Sequence, residues 1–193
     1  MRPLFLAAIL SCTLLTNVQS QATNYGAVEW DIARIGYAIP SLEGLSGGVL
    51  LGTEARYNFT NQISGSLRIE FAIYGTDVIT ENFDIGLAAS YALFGDYYFD
   101  DEMPTRFFGG LGLGVFSGGR ITINGEEESM ADSAIGLVPR FGVEIGHFRL
   151  ALEYNAAFSD AVSNYVGLTF AGTIGGGLRN YDLNSMKLFG SPR

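Results

Sequence analysis

Lysine occurs once in this chain of 193 residues, at Lys187; histidine occurs once, at His147, and cysteine once, at Cys12. A soluble domain of this size normally dresses its surface in lysine and glutamate, so the shortage of lysine points to an unusual surface. A single cysteine excludes an internal disulfide and a thiolate metal site. A surplus of base is also missing. Eleven basic residues stand against twenty acidic ones, which argues against nucleic acid as a partner, because phosphates select basic surfaces. No stretch reaches the roughly 18 consecutive apolar residues of a membrane-spanning helix. Disorder is excluded in turn, since 48% of the residues are hydrophobic and only 16% charged. What remains is an unusual soluble domain, or a protein that enters a membrane without helices.

The first twenty residues read as a leader. Arg2 precedes an apolar run over 4–15, and the polar stretch Thr16-Asn17-Val18-Gln19-Ser20 follows, which is the order of a secretory signal. Cleavage is expected after Ser20 or after Ala22, and it removes Cys12 with the leader. Ile9-Leu10-Ser11-Cys12 loosely resembles a lipoprotein acylation site, with a short apolar segment and a poorly fitting Leu10. The remainder is one domain by size.

From Gly48 onward the dominant period is two, the period of strands. Val49, Leu51, Thr53, Ala55, Tyr57 and Phe59 alternate with Leu50, Gly52, Glu54, Arg56 and Asn58. Ile63, Gly65, Leu67, Ile69, Phe71 and Ile73 alternate with Ser64, Ser66, Arg68, Glu70, Ala72 and Tyr74. Similar runs cover 83–94, 107–116, 137–146, 149–158 and 165–178. A first strand over 27–38 is less regular, because Arg34 breaks the pattern set by Trp30 and Ile32. Eight strands of about 9–11 residues or slightly more match what a tilted membrane strand needs. Short links at 60–62 and 147–148 alternate with longer ones at 39–48, 75–82, 117–134 and 159–164; the ten-residue link at 95–104 is the exception. Pro139 is a misfit within its run, because proline cannot donate to a ladder, and it predicts a bulge or a later strand start.

Alternation alone does not say which face is inside, since a soluble ligand-binding barrel also alternates. The apolar faces of the second to seventh strands carry no charge, as a lipid-facing wall requires. The opposite faces are mostly Gly, Ala and Ser with a few Arg and Glu, which suits a narrow eight-strand lumen better than a water-facing surface. The expected lumen network is Glu54, Arg56, Arg68, Glu70, Asp84, Arg140, Glu144, Arg149 and Glu153. Its near balance of charge predicts mutual pairing rather than an ion-selective ring. A three-residue turn at 60–62 sets Glu54 opposite Arg68 and predicts a bridge between them. Aromatics near strand ends predict two interfacial girdles: Trp30, Tyr57, Phe59, Phe107 and Phe148, with Tyr97, Tyr98 and Phe99, at one end; Tyr74, Phe83, Phe116, Phe158 and Tyr165 at the other.

The glycine-alternating run Phe107-Phe108-Gly109-Gly110-Leu111-Gly112-Leu113-Gly114-Val115 and the segment Val138-Pro139-Arg140-Phe141-Gly142-Val143-Glu144-Ile145-Gly146 resemble strands of the eight-stranded outer-membrane β-barrels of Gram-negative bacteria, the OmpA/OmpX-like, porin-like superfamily. The resemblance covers 25–178. It implies an all-β, eight-stranded antiparallel up-and-down transmembrane barrel, monomeric, with outer-membrane lipid and the outer-membrane assembly machinery as partners. Such proteins usually end in an aromatic-terminated strand, whereas here the segment 179–193 follows as a tail.

Little in the chain points to chemistry, and no cofactor is expected. Gly110-Leu111-Gly112-Leu113-Gly114 lacks the following helix whose start would bind phosphate. His147 lies in a turn with no serine–carboxylate arrangement nearby to make it a catalytic base. Glu144 and Glu153 could imitate a glycosidase pair, but Arg140 and Arg149 stand beside them. Glu126-Glu127-Glu128 with Asp132, and Asp96 with Asp100-Asp101-Glu102, offer hard oxygen ligands, yet their spacing fits no defined Ca²⁺ loop and reads as solvated acidic loop. The segment 117–134 is expected to be the loop that meets an extracellular partner. The functional expectation is a non-catalytic envelope-structural or surface-interaction barrel. A narrow channel for small or hydrophobic solutes, a soluble ligand-binding barrel and an envelope-lipid-modifying enzyme stay open at this point.

Overall fold

The computed structural model describes residues 26–41, 45–76, 83–99, 105–123, 128–160 and 162–176; the expected leader and tail lie outside them. Eight strands follow one another: β1 (Val28–Pro40), β2 (Leu45–Asn58), β3 (Ile63–Thr76), β4 (Phe83–Tyr98), β5 (Thr105–Ile123), β6 (Glu128–Ile145), β7 (Phe148–Ala157) and β8 (Tyr165–Gly175). Each pairs antiparallel with its neighbour in sequence, and β8 pairs with β1, so the sheet closes into a barrel with no free edge through its wall. The strand ends at Asn58 and Ile63, Tyr98 and Thr105, Ile145 and Phe148, together with the start of β1 and the end of β8, lie at one rim. Gly146, at φ 58°, supplies the left-handed residue of the short turn between Ile145 and Phe148.

The strands are longer and the links shorter than sequence alone suggested. The 95–104 link shrinks to 99–104, because β4 continues to Tyr98 and β5 begins at Thr105. The expected loop 117–134 is mostly strand: β5 runs to Ile123, β6 starts at Glu128, and Ser117 pairs with Ser133. Gly118 lies opposite Asp132 and Ile121 opposite Glu128, so the ladder carries the hairpin through most of the expected loop. One register shift, between Gly118 and Arg120, interrupts it.

Two irregularities in the wall have simple causes. In β1 the register shifts after Asp31 against both neighbours, so Ile32 and Ala33 form a β-bulge with one extra residue. Both residues point outward, and the inward parity passes from Glu29 and Asp31 to Arg34. That is why Arg34 broke the sequence pattern. At Pro139 there is neither a bulge nor a late start. Pro139 faces outward, pairs with Leu111 on β5, and the β6–β7 register is the same on both sides of it. The missing N–H removes a ladder bond without displacing the strand.

The outer surface is apolar around the circumference. On β5 the outward residues are Phe107, Gly109, Leu111, Leu113 and Val115, and the polar pair Ser117–Ser133, with hydroxyls 2.8 Å apart, closes the run. Leu93 is 65% exposed, Ile174 61% and Leu113 57%. An apolar surface of that extent far exceeds what a water-soluble monomer shows.

Candidate functional site: the barrel lumen

Inward positions near the short-turn rim are charged. Among the described residues, six arginines (Arg34, Arg56, Arg68, Arg106, Arg140, Arg149) and seven carboxylates (Glu29, Asp31, Glu54, Glu70, Asp96, Glu144, Glu153) are buried inside the wall. A buried charge is tolerable only when it is paired and hydrogen-bonded, and these meet that condition by reaching across the barrel. Arg140 is the hub. It donates two 2.8 Å bonds to both oxygens of Glu54 and bonds of 2.8 and 2.6 Å to Asp96, while its guanidinium lies 3.7 Å from the Phe94 ring centre. Arg34 donates to Glu54 and to Glu153, each at 2.9 Å. Arg149 donates to Asp96 and to the Tyr98 hydroxyl, each at 2.8 Å, and stacks 3.6 Å from Phe108. Arg56 holds Asp31 at 2.9 Å and also pairs with Glu29, and Arg106 pairs with Glu144.

Eight of the nine residues expected in the lumen are therefore there: Glu54, Arg56, Arg68, Glu70, Arg140, Glu144, Arg149 and Glu153. Asp84 belongs to β4, opposite Thr122, and its side chain lies outside the described residues. The Glu54–Arg68 register is as expected, but the bridge is not formed. Arg68 is long enough to cross the lumen to Glu153 and Asn155, and Glu54 is taken by Arg34 and Arg140. The cross-strand neighbour is not the partner at this pair, although Arg56 with Glu29 and Arg106 with Glu144 do pair with the residue directly opposite.

Five charged members were missed. Glu29, Asp31 and Arg34 belong to the bulged strand, and Arg106 precedes the point where the alternation was first legible. Asp96 was grouped with an acidic loop; it lies in β4 and is buried between Arg140 and Arg149. Its signal was available, because it shares parity with Ala92 and Phe94. Asp100, Asp101, Glu102, Glu126 and Glu127 lie outside the described residues.

Toward the other rim the lumen changes character. Ala38, Leu50, Ala72, Tyr74 and Tyr165 form one buried apolar cluster. Ala92, Phe94, Phe116, Val138 and Val162 form a second, with Ala134 and Ala157 against it. Val162 comes from the β7–β8 link, which Asn164 anchors: its side chain accepts from the Ala157 amide at 2.7 Å, and its carbonyl accepts from the Ser41 amide at 2.8 Å. Glycines make room. A Cβ on Gly112 would come within 2.5 Å of the Phe94 ring, and one on Gly167 within 2.8 Å of Leu50. Only one aromatic girdle matches the expectation. Trp30, Tyr57, Tyr97, Phe99, Phe107 and Phe148 face outward near the short-turn rim, whereas Tyr98 is buried. At the other rim Phe158 faces out, but Tyr74, Phe116 and Tyr165 have inward parity and fill the lumen. The side chain of Phe83 lies outside the described residues.

A closed eight-stranded barrel with its ions inside and its hydrocarbon side chains outside has the polarity of a β-barrel that crosses a membrane. No family model matches the chain, and no curated protein does. Solved structures do. Neisserial surface protein A (NspA) is similar with 19% identity and a TM-score of 0.53, over 79% of this chain and 95% of that one. Outer membrane protein OprG of Pseudomonas aeruginosa is similar with 13% identity and a TM-score of 0.51, over 82% and 97%. The N-terminal β-barrel domain of P. aeruginosa OprF follows with 15% identity and a TM-score of 0.50, over 80% and 100%. The chain has the fold of the eight-stranded outer-membrane barrels.

Proposed function

We propose that this chain is a non-catalytic, monomeric barrel of a bacterial outer membrane, serving envelope structure or surface contact at the rim opposite the short turns. The observation that carries the reading is the inverted polarity: buried ion pairs within, an uncharged apolar wall without. In water that wall would be a single adhesive patch, whereas in a bilayer it is solvated by lipid. The naming of NspA as a surface protein and of OprG as an outer membrane protein supports the location. A lumen filled by its own side chains supports a role other than a general pore. Lipid of the outer membrane and the machinery that assembles barrels there are the partners this location requires. The surface where an extracellular partner would bind is the β5–β6 hairpin, which rises beyond the Ser117–Ser133 pair with acidic residues such as Glu128 and exposed Asp132.

An epitope inserted between β5 and β6 tests the location and the orientation together. It should be labelled on intact cells, and the protein should fractionate with the outer membrane and migrate differently on a gel with and without boiling. Recovery of the processed protein in the soluble fraction would overturn the reading.

A further inference from the structure

The two halves of the lumen differ in how completely they are satisfied. In the ionic half, six buried side-chain atoms have no protein hydrogen-bond partner: Nε of Arg34, Arg56, Arg68 and Arg149, Oγ of Ser64 and Nδ2 of Asn155. Buried polar atoms left open in this number are the usual sites of internal water, which needs a polar cage with several partners. At the boundary the Tyr165 hydroxyl donates to Glu70 at 2.9 Å, and the Tyr74 hydroxyl beside it has no protein partner. The second cluster, around Phe116, Val138 and Val162, is hydrocarbon, with Val162 pressed to 5% exposure. Hydrocarbon constrictions of this kind exclude water, and with it ions.

Resting on the membrane-spanning reading above, we infer that the ionic half of the lumen is a hydrated compartment, and that the apolar half is the seal that keeps the barrel closed, with Val162 of the β7–β8 link as its stopper. The ion pairs fix the shape of the compartment; the dry layer stops the flow. Wetting the dry layer opens a path for small ions, and breaking the ion pairs beneath an intact seal does not.

Planar-bilayer recordings on purified, refolded protein test this, with the unboiled gel shift reporting that each variant is folded. Val162→Asp and Phe116→Ser place a polar group in the seal, and Arg140→Met with Glu54→Gln empties the hub of the ionic half. Val162 lies in a link rather than a strand, so its variant guards against loss of folding at Phe116. The expected result is discrete conductance at least tenfold above the unmodified protein for the seal variants, with the ionic variant silent. Conductance by the unmodified protein, or by the ionic variant with its seal intact, would overturn the inference, as would folded, inserted Val162→Asp protein that stays silent. Failure of the unmodified protein to enter bilayers at all would remove the membrane-spanning reading itself, and the inference with it.

Discussion

Thr53 shows how a single residue can contradict a pattern for a physical reason. It is polar on the outward face of β2, beside the bulge in β1. Its hydroxyl donates to the Asp31 carbonyl at 2.7 Å and accepts from the Trp30 indole nitrogen at 2.7 Å. A hydroxyl there completes a backbone carbonyl and a ring N–H on an otherwise apolar wall. Thr53→Val makes the outer wall more apolar, so a pure transfer argument expects stabilisation. Leaving two polar groups without partners costs more, and the variant should lose about 1–2 kcal/mol in urea unfolding from lipid vesicles. The same scale explains the misread ion pair. Register could be derived from a turn length, but the choice of partner depends on which charges line the opposite wall. Arg34 and Asp96 had not been placed there, so Arg140 could not be recognised as the hub.

At the scale of the strand, period two revealed most of the wall, because the outward faces of β2, β3, β7 and β8 are almost free of polar side chains, Thr53 being the exception. It failed where one residue was added. Beyond the Ile32–Ala33 bulge the inward parity reverses, and Glu29, Asp31 and Arg34 cannot all share a face in a regular ribbon. Removing Ala33 should therefore restore simple alternation, keep Arg34 inside and leave the pairing of β1 with β2 and β8 in step. Removing Leu51 from the regular part of β2 should instead drive Glu54 and Arg56 outward together and prevent folding. The gel shift distinguishes the two: a folded band for the Ala33 deletion and none for the Leu51 deletion. The other misjudged elements, the 95–104 link and the 117–134 hairpin, contain glycine and acidic runs that normally mark turns. Only the ladder with the adjacent strand shows that 95–98, 117–123 and 128–134 continue as sheet.

At the scale of the whole molecule, the fold was legible from composition and period together, and the resemblance of the glycine-rich strands agreed with it. The division of the lumen into an ionic and a hydrocarbon half was not, since inward glycines and alanines look alike whichever neighbours they accommodate. The outer belt carries a further expectation. On β5 it runs from Phe107 to Val115 and ends at the Ser117–Ser133 pair. A belt of that height suits a hydrocarbon layer of about 25 Å. Resistance of the folded band to heat should peak in phosphatidylcholine vesicles near that thickness and fall as the acyl chains lengthen, by fractions of a kcal/mol per Å of mismatch. A flat response would show that the belt does not set the depth.

The reach of the lumen ion pairs also bears on how such a molecule can be assembled. Arg34 joins β1 to Glu153 on β7 and to Thr169 on β8, and Arg68 joins β3 to the same Glu153. These bonds join early strands to the last two, whereas Arg56 with Glu29 and Asp31, and Arg106 with Glu144, pair between adjacent strands that a partly built sheet already holds. Closing the first strand against the last supplies the long-range partners of Arg34 and Arg68. Adjacent strands can therefore gather part of the ionic order early, while the bonds that span the cylinder arrive with closure, the step of greatest sequence separation.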